Sequence, residues 1–174
     1  LPQKDVMEAL DLNRYSLPTI VNRLKNDNDN ELTPLYLESK YASCLVIGVG
    51  PTVRTHLSSI KSLLKANPEY LVVHATSKFI NEFDNVANMQ FAVVSGDELL
   101  KIEKPQANVS AYVFGPNSLF VDTFINAARC FAVNSVEFIK EFQYSSFAIG
   151  LQIGLEAGSD QILLVGFDGY EELK

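Results

Sequence analysis

A chain of 174 residues, 47% hydrophobic and 20% charged, has the composition of one ordinary globular domain and can bury roughly two thirds of its unfolded surface without metal or disulfide staples. Lys and Arg number 14 against 21 Asp and Glu, a net charge of −7 that argues against broad nucleic-acid binding or attraction to anionic membranes, since both need a basic face. Two cysteines, Cys44 and Cys130, sit in apolar surroundings, make no disulfide framework and fit a reduced, cytoplasmic setting.

No apolar run approaches the ~18 residues that a bilayer span needs, so membrane insertion is not expected. The opening residues do not read as a signal peptide, so none is expected here. The sequence begins at Leu1 without a Met and stops at Lys174 just after a strand-like run, which reads as an excised piece of a longer protein. Residues 1–42 are expected to form a helical connector and linker from an upstream domain. Asp5 to Leu10 has short helical character. Ser16 stands as a cap before a second helix, whose Leu17, Ile20, Val21 and Leu24 recur at helical spacing. Asn26-Asp27-Asn28-Asp29-Asn30-Glu31 carries strong turn preference and no apolar anchor, as a hinge does. Thr33-Pro34 then reads as a helix start, with Pro at the first helical position.

From residue 43 to 174 short apolar runs alternate with amphipathic stretches. Cys44 to Val49 predicts a strand, and Pro51 to Ala66 a helix with Leu57, Ile60, Leu63 and Leu64 on one face. Tyr70 to Ala75, Phe91 to Val94 and Ala111 to Phe114 predict three more strands. Ser95 and Glu98 have capping-box spacing before Leu99 and Leu100. Asp122 to Ala132 and Ser135 to Phe142 read as helical. Ser145 to Ala157 reads as a helix stopped by Gly158, and Gln161 to Val165 as the last strand. Near-continuous apolar strands separated by helices imply a mostly parallel, open sheet covered on both faces, a three-layer Rossmann-like α/β domain truncated at its C-terminal end.

Each strand ends in small or polar residues: Gly48-Val49-Gly50-Pro51-Thr52, His74-Ala75-Thr76-Ser77, Ser95-Gly96-Asp97, Gly115-Pro116-Asn117 and Gly166-Phe167-Asp168-Gly169. In an open parallel sheet these carboxyl ends share one edge, where ligands bind at the switch in strand order. In the first loop, Gly48 and Gly50 allow a tight turn and close approach to a ligand, and Pro51 pre-sets the helix, whose first amides favour a phosphate or other anion. As a dinucleotide fingerprint the loop fails twice: Val53 stands at the third glycine, and His74 where an acid should grip a ribose. The plainer alternative is a tight strand-to-helix turn and nothing more.

Ser145 and Ser146 sit at a helix start, where hydroxyls and amides suit a phosphate or sugar oxygen; for Ser145 plain capping is the favoured alternative. Asp168, in a Gly-x-Asp-Gly turn, either accepts hydrogen bonds from ligand hydroxyls or simply forms the turn. His74 either reaches the ligand edge or is a structural histidine, and His56 reads as a surface residue. No cysteine, histidine or carboxylate set has metal spacing, and no Gly-x-Ser-x-Gly nucleophile elbow occurs. Cys130 and the phenylalanines at 120, 124, 131, 138 and 142 read as core or interface.

Two of these motifs have counterparts elsewhere. Val46-Ile47-Gly48-Val49-Gly50-Pro51-Thr52 resembles the Gly-Asn-Gly-Pro-Ser loop that opens the Rossmann-like fold of bacterial sialyltransferases and the related motility-associated-factor glycosyltransferase-like domains. Ser145-Ser146, the helix, Gln161 to Val165 and Gly166-Phe167-Asp168-Gly169-Tyr170 resemble the Thr-Ser-Gly, helix, strand, Gly-Ile-Asp-Phe-Tyr block of the same enzymes. In those transferases the two blocks flank a cytidine-monophosphate sugar donor. Carried over by position, the resemblance implicates Gly48, Gly50, Pro51, Thr52, Ser145, Ser146 and Asp168 in binding a nucleotide or sugar. The departures are Val49 for Asn, Phe167 for Ile and Phe147 for Gly. The family's catalytic histidine falls beyond Lys174.

The chain is also similar to bacterial proteins that join a pyruvate-type aldolase barrel (hydroxymethylglutaryl-lyase-like, often labelled 4-hydroxy-2-oxovalerate aldolase) to such a domain and look tied to surface-polysaccharide synthesis. Leu10-Asp11-Leu12-Asn13-Arg14-Tyr15-Ser16 resembles the stretch leading out of that barrel, and Val165 to Tyr170 resembles the ending. The resemblance implies an upstream barrel in the same chain, with any divalent metal held there, and leaves room for a homo-oligomer. The candidate set is therefore Gly48, Gly50, Pro51, Thr52, His74, Gly115, Asn117, Ser145, Ser146 and Asp168. The expected ligand is a nucleotide or nucleotide-sugar. A non-catalytic regulatory or assembly module of the aldolase is the alternative, and an NAD-dependent oxidoreductase is disfavoured.

Overall fold

The structure, a computed structural model, describes residues 33–34, 40–96, 98–115, 124, 127–132 and 145–169. The chain divides after Leu32, and all of these belong to the second unit, Thr33–Lys174. The helices expected before Leu24, the hinge at 26–31 and the helix at 135–142 lie outside the described residues.

In chain order the elements are β1 (Thr33–Pro34), β2 (Ser43–Ile47), α1 (Pro51–Thr55), α2 (Leu57–Ala66), β3 (Leu71–His74), a 3₁₀ turn (Ile80–Phe83), β4 (Gln90–Val94), α3 (Glu98–Lys101), β5 (Ala111–Phe114), β6 (Cys130–Ala132), α4 (Ser146–Glu156) and β7 (Gln161–Val165). All strand pairings are parallel. The strands lie side by side in the order β1-β6-β5-β4-β3-β2-β7. The chain thus steps from β2 through β3, β4 and β5 to β6 in one direction, then crosses back and lays β7 against the other side of β2. Ile47, the last residue of β2, stands between His74 and Val165. The order reverses between β2 and β7.

Alternation along the strands feeds two apolar layers. Cys44, Val46, Leu71, Val73, Phe91, Val93, Ala111 and Val113 pack on one face with Ile149, Ile153 and Ala157. Leu45, Ile47 and Val72 pack on the other with Val53, Ile60, Leu64, Phe79 and Phe83. Both sets are buried, which is why these strands read as continuous apolar runs and not as alternating ones. The result is a three-layer α/β domain with a Rossmann-like parallel sheet. Gly150 lets α4 lie close to the sheet, since a Cβ there would stand 2.7 Å from Val46 Cγ1.

Three local expectations are corrected. Thr33–Pro34, expected to open a helix, is a short strand beside β6. It occupies the end of the sheet, a place that tolerates a residue without an N–H. Cys130–Ala132, read as the end of a helix, is β6, which pairs with β5 and delivers Phe131 to the core. The helix over 51–66 forms as two pieces because His56 leaves helical angles (φ −112°, ψ 18°). Just before it, the Thr55 hydroxyl donates back to the Pro51 carbonyl at 3.1 Å, a bond that bends helices. In α2, Ile60 and Leu64 face the core, whereas Leu63 is 37% exposed.

The cysteines belong to the packing. Both are buried. Burial pushes the Cys44 thiol up to about 12 and the Cys130 thiol up to about 11, so neither supplies a thiolate at neutral pH. The folded chain is expected to show no fast-reacting thiol toward a disulfide reagent at pH 8, and both thiols once denatured. A rapid stoichiometric reaction before unfolding would contradict this packing. No helix among the described residues is long and apolar enough to cross a membrane.

Candidate functional site

The strand-order reversal brings together the two loops singled out in the sequence, the one after β2 and the one after β7. Gly48 donates its N–H to the Val165 carbonyl at 2.8 Å, and Gly50 to the Gly166 carbonyl at 2.7 Å. Glycine is required here by close approach. A Cβ on Gly48 would overlap the Gly166 carbonyl oxygen, and one on Gly50 would overlap the Asp168 carboxylate. Gly166 turns through φ +77°, which aims the following residues back over α1.

Asp168 lies over the start of α1. Its Oδ2 accepts the Thr52 N–H at 3.2 Å, and its Oδ1 accepts the Thr52 hydroxyl. The Thr52 hydroxyl, with further bonds from the backbone N–H groups of Asp168 and Thr52, holds this carboxyl below its ordinary range although it is exposed. The helix start expected to receive an anion has thus acquired one from its own chain. Gly48, Gly50, Pro51, Thr52 and Asp168 form a single clasp.

Ser145 is the N-cap of α4, but its hydroxyl makes no capping bond; only its carbonyl takes part, accepting the Ile149 N–H at 3.0 Å. The plain capping role favoured for Ser145 is not what holds this turn. Ser145 and Ser146 are joined to the clasp through the next residue. The Phe147 ring lies 4.8 Å from the Phe167 ring, tilted by 59°. Phe167 is 39% exposed, and its Cε1 comes within 2.9 Å of the position a Cβ on Gly48 would take. On the other side of the β2 loop, Lys78 reaches over and donates to the Val49 carbonyl at 3.2 Å. Phe147, Phe167 and Lys78 were not among the candidate residues. A large aromatic beside each polar motif is the available signal, and both are positions at which the sequence departs from the transferase pattern.

His74 does not reach the edge. It is fully buried, and burial lowers its imidazole to about 4, against a smaller opposing effect of its bond to Gln90. Nε2 lies 2.8 Å from Gln90 Oε1, and Gln90 Nε2 donates to the Phe83 carbonyl at 2.8 Å. That orientation makes Nε2–H the donor and leaves Nδ1 buried without a partner. Asn108 completes the network, donating to the Ile80 carbonyl at 3.0 Å and to Gln90 Oε1 at 3.3 Å. His74 is therefore the structural histidine of the two readings. The Glu98 carboxylate, expected in a capping box, instead accepts the Ser77 N–H at 2.7 Å and pairs with Lys101 at 2.9 Å, tying α3 to the loop after β3. Gly115 is buried and continues the ladder from β5 to Val94 at 2.8 Å, three places along the sheet from β2. Asn117 and Asp97 lie outside the described residues. Among the described residues no group of three His, Cys, Asp or Glu side chains is placed to hold a metal ion.

Fold and loop geometry define the class: a Rossmann-like α/β domain with two hydrogen-bonded loops at the strand-order switch, where ligands of open parallel sheets bind. Comparison with protein-family models, with curated proteins and with solved structures finds no match to this chain.

Proposed function

We propose that this domain binds a nucleotide or nucleotide-sugar at the carboxyl edge of β2 and β7. The observation that supports the reading most directly is the convergence of Gly48–Thr52 and Gly166–Asp168, far apart in the chain, into one hydrogen-bonded clasp where the strand order reverses. The exposed Phe167 ring, packed on the partly buried Phe147, and a lysine border that clasp, and the chemistry suits a ligand with a planar ring, hydroxyls and negative charge. An NAD site lacks support, since the position of its ribose-gripping acid holds buried His74. A role within an aldolase-type protein of surface-polysaccharide synthesis rests on the likeness of Leu10–Ser16 and Val165–Tyr170. One observation favours the alternative of an assembly module: among the described strands β7 ends the order, with Leu164 47% exposed.

The test is thermal unfolding of the full chain with CMP, CDP, UDP and their sugar conjugates. Ligand at about 100 times Kd is expected to raise Tm by about 5–10 °C. Asp168→Ala is expected to abolish the shift. A broad panel without any shift would refute the reading.

A further inference from the structure

The geometry points to a defined direction for the ligand across the β2 loop: the nucleoside lies on the β7 side, against Phe147, Phe167 and Asp168, and the phosphate on the β3 side, at Lys78. This inference rests on the nucleotide-binding reading above. A phosphate seated in the usual way, at the helix start after β2, needs the amide that Thr52 already donates to Asp168. It would also meet an ionised carboxylate, kept ionised by the Thr52 hydroxyl. That seat is closed to a second anion. The carboxylate accepts hydrogen bonds and donates none, so it suits the hydroxyls of a ribose. Phe167 supplies an exposed ring beside it for a base to stack on. Because β2 lies between β3 and β7, the Lys78 ammonium stands on the opposite flank, held at the Val49 carbonyl and leaning over the Phe79 ring at 5.1 Å.

The test is calorimetric titration of the full chain with the matched pairs cytidine and CMP, adenosine and AMP. Lys78→Gln is expected to weaken the monophosphates about tenfold and the nucleosides less than about twofold. Phe167→Leu, which keeps apolar packing but removes the aromatic face, is expected to weaken both members of a pair about fivefold or more. Inorganic pyrophosphate is expected not to displace a bound nucleoside. If Lys78→Gln lowers nucleoside and nucleotide equally, if Phe167→Leu spares the nucleoside, or if pyrophosphate competes with it, the direction is wrong while nucleotide binding stands. If neither nucleosides nor nucleotides bind, both this inference and the function fail.

Discussion

Between pH 6.5 and pH 4 the folded state is expected to lose about 3 kcal/mol through His74 alone. Above pH 6.5 the imidazole is neutral in both the folded and unfolded chain and contributes no pH dependence. As the pH falls below the unfolded value of 6.5 the unfolded chain takes up a proton, while burial keeps the folded imidazole neutral down to about 4. The unfolded state then binds more protons, so stability falls with pH across that window and levels off beneath it. Glu156 acts in the opposite direction, because burial raises its carboxyl and favours the folded state on acidification. The lowered Asp168 costs stability only at the more acid end, where it becomes protonated. Urea unfolding at pH 7.5, 6.5, 5.5 and 4.5 measures the slope. His74→Gln, which keeps a donor for Gln90, is expected to flatten it, and an unchanged slope would remove His74 as the cause.

The same histidine shows where reading the sequence stops. His74 is the last residue of an apolar run, and nothing local distinguishes a side chain at the ligand edge from one turned into the layer beneath. Its partner Gln90 lies 16 residues away, on the next strand. The strands themselves were legible, because runs such as Leu71–Val73 and Ala111–Phe114 are apolar on both faces and bounded by polar turns. β1 and β6 were not, since two or three residues carry no periodicity and take their conformation from a neighbouring strand. The loops of the candidate site could be recognised singly by their glycines and by Asp168. Their joining could not, because the bond between Thr52 and Asp168 spans 116 residues and depends on the crossover that brings β7 back to β2. The aromatic pair arises from the same crossover.

Gly166→Ala is expected to cost about 3 kcal/mol, for two separable reasons. At φ +77° an L side chain is strained by about 1–2 kcal/mol. In addition, the new Cβ would overlap Cγ2 of Val53, which is wholly buried, so the core must open by an amount that typically costs about 1–3 kcal/mol. Val53 occupies the third glycine position of a dinucleotide loop, where glycine normally lets helix and strand approach. Here the space comes from the other partner: the valine is retained, and the strand side gives way at Gly166. Val53→Ala alone is expected to lose about 2 kcal/mol by leaving a cavity. In the double variant the smaller side chain makes room for the added methyl, so the combined loss should fall short of the sum by about 1 kcal/mol. Urea midpoints of the four proteins measure that coupling. Strict additivity would mean that Val53 is not what confines residue 166 to glycine, leaving backbone strain and the Gly48 backbone, 3.1 Å from the added Cβ, to account for the cost. A clear coupling would mean that the missing third glycine of the β2 loop and the glycine after β7 are two halves of one packing solution, set at the place where the strand order turns.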